Sequence, residues 1–205
     1  MKMKPAILST AAMALACASI EPARAQEVGA YIGFGGDYAT STGAQIDTFG
    51  DGTLHKTPAL NGVFGHIGAD IYFKKNWAAA GEISWRPSQG DYAGIQYRPT
   101  FYTLDILYRP RIRRGRWEPE LRAGVGGARI NFFPIDDTSC SQVPACPSSD
   151  HFQQHLAVAA RWYFTDHFFL RPAIDVHHVD NLFEFGTGWV PEFSFGIGYS
   201  VGRGE

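Results

Sequence analysis

The stretch WEPELRAGVGGARINFF, from Trp117 to Phe133, puts Glu118, Glu120 and Arg122 on one parity and Trp117, Pro119, Leu121, Ala123 and Val125 on the other. A segment with that alternation is a strand with one apolar and one charged face. No helix period accommodates it. The chain can then fold only so that the charged face meets water or meets itself. This leaves two solutions: a soluble sheet with its charges outside, or a cylinder in lipid with its charges inside.

The pattern recurs in eight runs. Val28, Ala30, Ile32, Phe34 and Tyr38 oppose Glu27, Gly29, Tyr31, Gly33 and Asp37 in the first. Val63, Ile67, Ala69, Ile71 and Phe73 oppose His66, Gly68, Asp70 and Tyr72 in the second, and Trp77, Ala79, Ile83 and Trp85 oppose Glu82, Ser84 and Arg86 in the third. Tyr102, Leu104, Ile106 and Tyr108 face away from Thr103, Asp105 and Arg109 in the fourth, and the run quoted above is the fifth. The sixth sets Leu156, Val158, Ala160, Trp162 and Phe164 against His155, Arg161 and Tyr163. The seventh sets Phe168, Leu170, Ile174 and Val176 against Arg171, Asp175 and His177. The last sets Phe193, Phe195, Ile197, Tyr199 and Val201 against Ser194, Gly196, Gly198 and Ser200.

The connections are sorted by length. Lys74 to Asn76 and Thr165 to His167 are tight, and Pro110 to Arg116 is moderate. Between them come longer linkers, about Thr40 to Leu60, Pro87 to Gly94, Pro134 to Gln154 and Val179 to Trp189. Short and long connections in strict alternation mean antiparallel neighbours with all long loops at one end, the layout of an up-and-down transmembrane barrel. A soluble sandwich has no reason to sort its loops.

Glycine settles which face is wet. Gly29, Gly33, Gly68, Gly124, Gly126, Gly196 and Gly198 share the charged parity, where a soluble exterior gains nothing from them. A narrow lumen does gain, because small residues leave room for Arg86, Arg122, Arg161 and Arg171 to pair with Asp37, Asp70, Glu82, Asp105, Glu120 and Asp175. Both signs on one parity permit the mutual pairing that buried charges require. Aromatics gather at run ends, and Trp77, Trp85, Tyr108, Trp117, Trp162, Phe168 and Tyr199 fit lipid-facing interfacial girdles. The expected fold is therefore all-β, an eight-stranded antiparallel up-and-down transmembrane β-barrel.

The N-terminus fits export. MKMKPAILSTAAMALACASIEPARA has Lys2 and Lys4, an apolar run from about Ala6 to Ile20, and Ala23-Arg24-Ala25. That is the layout of a secretory signal peptide cut after Ala25. Residues 1–25 are expected to be removed and 26–205 to form the barrel domain. The apolar run is short for an anchor helix, and Ala14 stands where a lipoprotein motif around Cys17 would carry leucine. Cys140 and Cys146 then remain, closing a short Ser- and Pro-containing ring, and are expected to form a disulfide. Four-coordinate metal spacing is not visible around them, so no metal or cofactor is expected. With a formal net charge of -2 the chain has no nucleic-acid footprint.

Exported N-terminus, eight alternating runs, sorted loops and the final PEFSFGIGYSVG together resemble the small bacterial outer-membrane β-barrel proteins, of which the OmpA and OmpX transmembrane domains are familiar members. YRPTFYTLDILYRPR and LRAGVGGARINFF are similar to segments of that group. One departure is the ending, where Gly202-Arg203-Gly204-Glu205 follows Val201 in place of a terminal aromatic. The resemblance implies the bacterial outer membrane as location. It implies outer-membrane lipids and lipopolysaccharide as surroundings, the barrel-assembly machinery during biogenesis, and an extracellular ligand for the loops as a further partner.

Eight strands enclose just enough space for side chains to fill, so a structural or surface-interaction role carried by the loops is expected. A narrow porin-like pore is the alternative. A lipid-modifying enzyme is the minor one. HHVDN, with His178, Asp180 and Asn181 and Glu184 nearby, is distantly similar to the pattern of lipid A deacylases. Asp180 stands where the nucleophilic serine would be, so catalysis is not expected. GFGG and GVGG lack the strand-to-helix context of a dinucleotide loop and read as strand glycines. Arg109, Arg111, Arg113, Arg114 and Arg116 fall on the periplasmic side, where a solvated turn is the expected account and lipid phosphate the other.

Overall fold

The computed structural model describes residues 27–39, 41–47, 52–92, 95–110, 116–134, 148–182 and 185–202. The signal segment and both cysteines, Cys140 and Cys146, lie outside the described residues.

The strands in chain order are β1 (Val28–Asp37), β2 (Gln45–Ile46), β3 (His55–Lys56), β4 (Gly62–Lys74), β5 (Trp77–Trp85), β6 (Gly90–Tyr92), β7 (Ile95–Tyr108), β8 (Trp117–Pro134), β9 (Ser148–Tyr163), β10 (Phe168–Val179) and β11 (Trp189–Val201). Eight of them, β1, β4, β5, β7, β8, β9, β10 and β11, form an antiparallel ring in which each pairs with its neighbours in sequence. β1 closes the ring on β11, from Val28 opposite Val201 to Asp37 opposite Glu192. β6 extends the β5–β7 hairpin beyond the ring, and β2 and β3 make a small hairpin of their own in the first long connection.

The ladder fixes the geometry of the cylinder. A path straight across the strands from Val190 runs through His177, His155, Gly124, Asp105, Ala80, Asp70 and Gly29, and returns to β11 at Ser200, ten residues further along. That stagger over eight strands corresponds to a tilt of about 40°. Each residue then climbs roughly 2.5 Å along the barrel axis, and a membrane band of about 25 Å takes some ten residues of strand.

Alternation has the predicted consequence. Ile32 is 60% exposed on the outer wall, as are Val63, Ile67, Ile71, Leu104, Ile106, Leu121, Val125, Leu156, Val158, Ile174, Phe193 and Ile197, while Arg161 is 0% exposed inside. β11 shows the alternation without a break, exposed and buried residues following each other from Trp189 to Val201. The aromatics sort by end. Trp77 and Tyr108 pack at 4.7 Å, Trp117 and Trp162 at 6.2 Å, and Phe168 and Tyr199 at 4.9 Å, linked through Phe164, so that one belt runs around the end with the short turns. Trp85 stands at the other end, with its ring against Gly65, and Trp189 shares that end packed on His178 at 4.5 Å.

Two expectations need correction. The third long connection is shorter than the alternation suggests. β9 begins at Ser148 rather than after Gln154, because β8 runs on to Pro134 and offers an edge that pairs Asn131 with Ser148 and Arg129 with Asp150. The linker from Pro87 to Gly94 likewise holds β6 against β7. In each case backbone pairing with an overlong neighbour makes a strand that side-chain pattern does not announce.

Candidate functional site

Described side chains fill the lumen in four storeys. Nearest the short turns, Arg109 grips Glu27, which precedes β1, and Glu118 on β8 at 3.0 Å, with its guanidinium 4.2 Å over the Tyr72 ring. This ties the start of β1 to the far side of the cylinder. Arg109 is not among the residues that opposite-charge reasoning singles out, although its parity points inward.

Above it, Glu120 on β8 is surrounded by arginines: Arg161 in direct contact, Arg171 at 3.3 Å and Arg122 at 3.7 Å. Arg161 also reaches Asp70 at 2.6 Å. Arg122 donates to the Tyr31 hydroxyl at 2.8 Å and lies 3.5 Å from Glu82, and the Tyr31 hydroxyl donates to Glu82. Tyr31 fits because Gly68 lies under its ring, where a Cβ would collide. Arg161 and Arg171 also lie over aromatic rings, Phe169 and Tyr31, each at 4.5 Å. Such contacts recover part of what a guanidinium loses on leaving water.

The next storey exchanges arginine for histidine. His66 bridges Glu82 at 3.0 Å and Glu192. His155 bridges Asp105 at 2.8 Å and Asp175 at 3.3 Å. His177 stacks between His155 (4.8 Å) and Phe101 (5.1 Å), with Glu192 3.6 Å from its Nε2. Asp37 lies opposite Glu192 in the β1–β11 ladder and is 1% exposed. Sequence reasoning that seeks opposite formal charges passes over His66, His155, His177 and Glu192, although parity places all four inward.

Of the ten residues expected to form the network, Asp37, Asp70, Glu82, Asp105, Glu120, Arg122, Arg161, Arg171 and Asp175 are buried in the lumen. Arg86 joins them only at the edge, as a positive charge near Asp37. It follows the last residue of β5, where alternation stops, and sits half-buried at the mouth. There it bonds Ser88 and the Tyr97 hydroxyl at 3.3 Å each.

The outermost storey is apolar. Leu60, Phe64, Tyr97, Phe101, Ile130, Phe132, Val179, Leu182, Phe185 and Val190 form one buried cluster across the outer mouth. The lumen is therefore charged below and greasy above. Each large side chain hidden there contributes about 1.5–3 kcal/mol.

At the same end His178 lies 3.5 Å from Asp180, both partly exposed. His151 contacts the Ser149 hydroxyl at 2.6 Å and the Asp180 carbonyl at 3.2 Å, which fastens β9 to the β10–β11 connection. Among the described residues no group of three His, Cys, Asp or Glu is arranged to hold a metal ion.

Three solved structures share this architecture. Ail, the attachment invasion locus protein of Yersinia pestis, solved with the heparin analogue sucrose octasulfate, matches with TM-score 0.56 at 13% identity, over 87% of this chain and 100% of that one. Neisserial surface protein A matches with TM-score 0.55 at 11% identity, over 88% and 99%. The N-terminal β-barrel domain of Pseudomonas aeruginosa OprF matches with TM-score 0.52 at 13% identity, over 85% and 97%. At these identities the likeness is one of fold. No curated protein matches the sequence. The family described as outer membrane protein beta-barrel domain matches residues 8–200, and this chain, an eight-stranded barrel of the bacterial outer membrane, belongs to it.

Proposed function

We propose that the protein is a closed barrel that acts at the cell surface through its outward connections, without catalysis and without conducting. The observation that carries this reading is the filling of the lumen. An ion entering from outside meets the cluster of Leu60, Phe64, Phe101 and Phe185, where it would lose its water with nothing to replace it. Beneath that cluster, paired arginines and carboxylates occupy the lumen. A rigid cylinder of this kind serves as a scaffold for loops. The first connection carries its own β2–β3 hairpin, and β8 and β9 extend the wall outward on one side.

Reconstitution in planar bilayers tests the closed lumen: conductance should stay at the level of the bare membrane. Discrete steps that vanish in Arg122→Gln would overturn the reading in favour of a narrow pore. Shortening the outer connections should leave a folded barrel that lacks whatever surface binding the intact chain confers on cells. Lipid A from expressing cells should keep its mass, because Asp180 occupies the place where acyl transfer requires a hydroxyl nucleophile.

A further inference from the structure

Two features on the outer wall coincide in a way that the lumen does not account for. The first is a groove of about 480 Å³ on the lipid-facing surface, within the range of about 300–1,000 Å³ typical of small-molecule sites. The short side chain of Ala123 leaves a gap in the outer wall, and Ile106, Leu121, Leu156, Val158 and Ile174 stand around it. Trp77 and Tyr108, packed at 4.7 Å with their rings tilted by 45°, bound its lower end at the level of the aromatic belt. The strands tilt, so the groove climbs obliquely from that belt toward mid-membrane.

The second feature is the distribution of charge on the rim directly below. Lys74 and Lys75 are exposed in the β4–β5 turn, immediately before Trp77. Arg116 is exposed just before Trp117, its guanidinium held to the Phe164 carbonyl at 3.2 Å. The two turns are fastened together, since the Arg109 amide donates to the Asn76 carbonyl at 2.8 Å. The nearby carboxylates Glu27 and Glu118 are engaged by Arg109. Among the described residues of this rim the exposed carboxylate is Asp166, in the β9–β10 turn, two residues beyond the Phe164 carbonyl that Arg116 holds and separated from the β4–β5 turn by β7 and β8. Lys74 and Lys75 thus stand below the Trp77 end of the groove, while Arg116 leans toward the turn that carries Asp166. The short-turn end faces the periplasm, where the inner leaflet presents phospholipid headgroups.

We infer that this face holds an anionic phospholipid of the inner leaflet, with one acyl chain along the Ala123 groove and its phosphate beside Lys74 and Lys75. The Trp77–Tyr108 pair lies between the two ends of the lipid, at the depth of its glycerol esters, where aromatic rings with a polar edge are favoured. Each basic residue near an anionic surface is worth about fivefold in affinity, a preference that fades as salt shortens the Debye length. The inference concerns the outer wall and stands or falls independently of whether the lumen conducts.

The test uses the full mature chain reconstituted in nanodiscs containing equal phosphatidylglycerol and phosphatidylcholine, followed by native mass spectrometry of the lipids it retains. The intact chain should keep phosphatidylglycerol over phosphatidylcholine by at least about fivefold at low salt. The double variant Lys74→Gln, Lys75→Gln should lose that preference. Ala123→Phe, a lipid-facing change that leaves the lumen untouched, should reduce the number of lipids retained. Heat-modifiable migration on gels confirms that each variant is folded. Equal retention of both lipids by the intact chain overturns the proposal, as does a preference that survives the double substitution. A paired barrel in cross-linking that Ala123→Phe separates would assign the groove to a second copy of the chain and also overturn it.

Discussion

Replacing Glu120 by glutamine should destabilise the barrel more than any other isosteric change in the lumen. Glu120 is 0% exposed, and its carboxylate touches Arg161, lies 3.3 Å from Arg171 and lies 3.7 Å from Arg122. At an effective dielectric constant near 20, one such pair at about 3.5 Å is worth roughly 5 kcal/mol. Carboxylate desolvation and repulsion among the guanidinium groups offset most of the summed attraction. What survives in comparable buried pairs, when one partner is removed, is about 3–5 kcal/mol. In Glu120→Gln three guanidinium groups are left with Asp70 and Glu82 as their near carboxylates. Urea unfolding of vesicle-embedded protein, followed by tryptophan fluorescence and heat-modifiable migration, should show a loss of that size. The double variant Glu120→Gln, Arg122→Met should recover about half of it, because it removes one surplus cation. A Glu120→Gln barrel within about 1 kcal/mol of the parent would refute the idea that lumen pairing sustains the fold.

The remaining predictions are simpler. Gly126→Val should abolish folding into the heat-modifiable form, because a Cβ at Gly126 would overlap the Tyr102 carbonyl of the neighbouring strand; normal yields would mean that the β7–β8 approach is looser than described. Phe64→Ala and Phe101→Ala should each cost about 3–5 kcal/mol in the same urea assay and yet leave planar bilayers silent, since the His66 and His155 storey closes the lumen beneath them. Conductance in either single variant would show that the apolar cluster alone seals the mouth. Raising salt from about 0.1 to 1 M should leave unfolding free energy nearly unchanged, because the ion pairs are buried; a steep fall would mean that water reaches them. A variant retaining Trp117 as its single tryptophan should be quenched most by lipids labelled near the headgroup, and strongest quenching from chain-end labels would place the belt at the wrong depth.

Orientation was legible in the sequence, because a period of two states which residues share a face and the company that glycine keeps states which face is crowded. Depth was not. Phe64 has the parity of His66, and Ile130 and Phe132 have that of Arg122, so nothing in the alternation separates the greasy mouth from the charged middle. The change depends on how far each strand rises above the membrane, which the register sets. The early start of β9 escaped for a related reason: residues 148–154 are mostly polar and become strand through the ladder to Val125–Asn131. Arg86 reaches the network only at its rim, near Asp37, because inward parity loses meaning once β5 ends at Trp85. The histidines shared the right parity all along, and a search that weighs only fixed charges does not see them.

The ladder between β1 and β11 has a consequence for assembly. Every other pairing in the ring joins strands that follow one another and can zip up as hairpins, with little chain to organise beforehand. The seam from Val28–Val201 to Asp37–Glu192 has no such head start, since it must wait until the last strand has been made and the growing sheet has curled through a full turn. Until then two raw edges face the bilayer with their amides unsatisfied. Insertion and closure therefore have to be one event: a half-built wall has no resting place in oil.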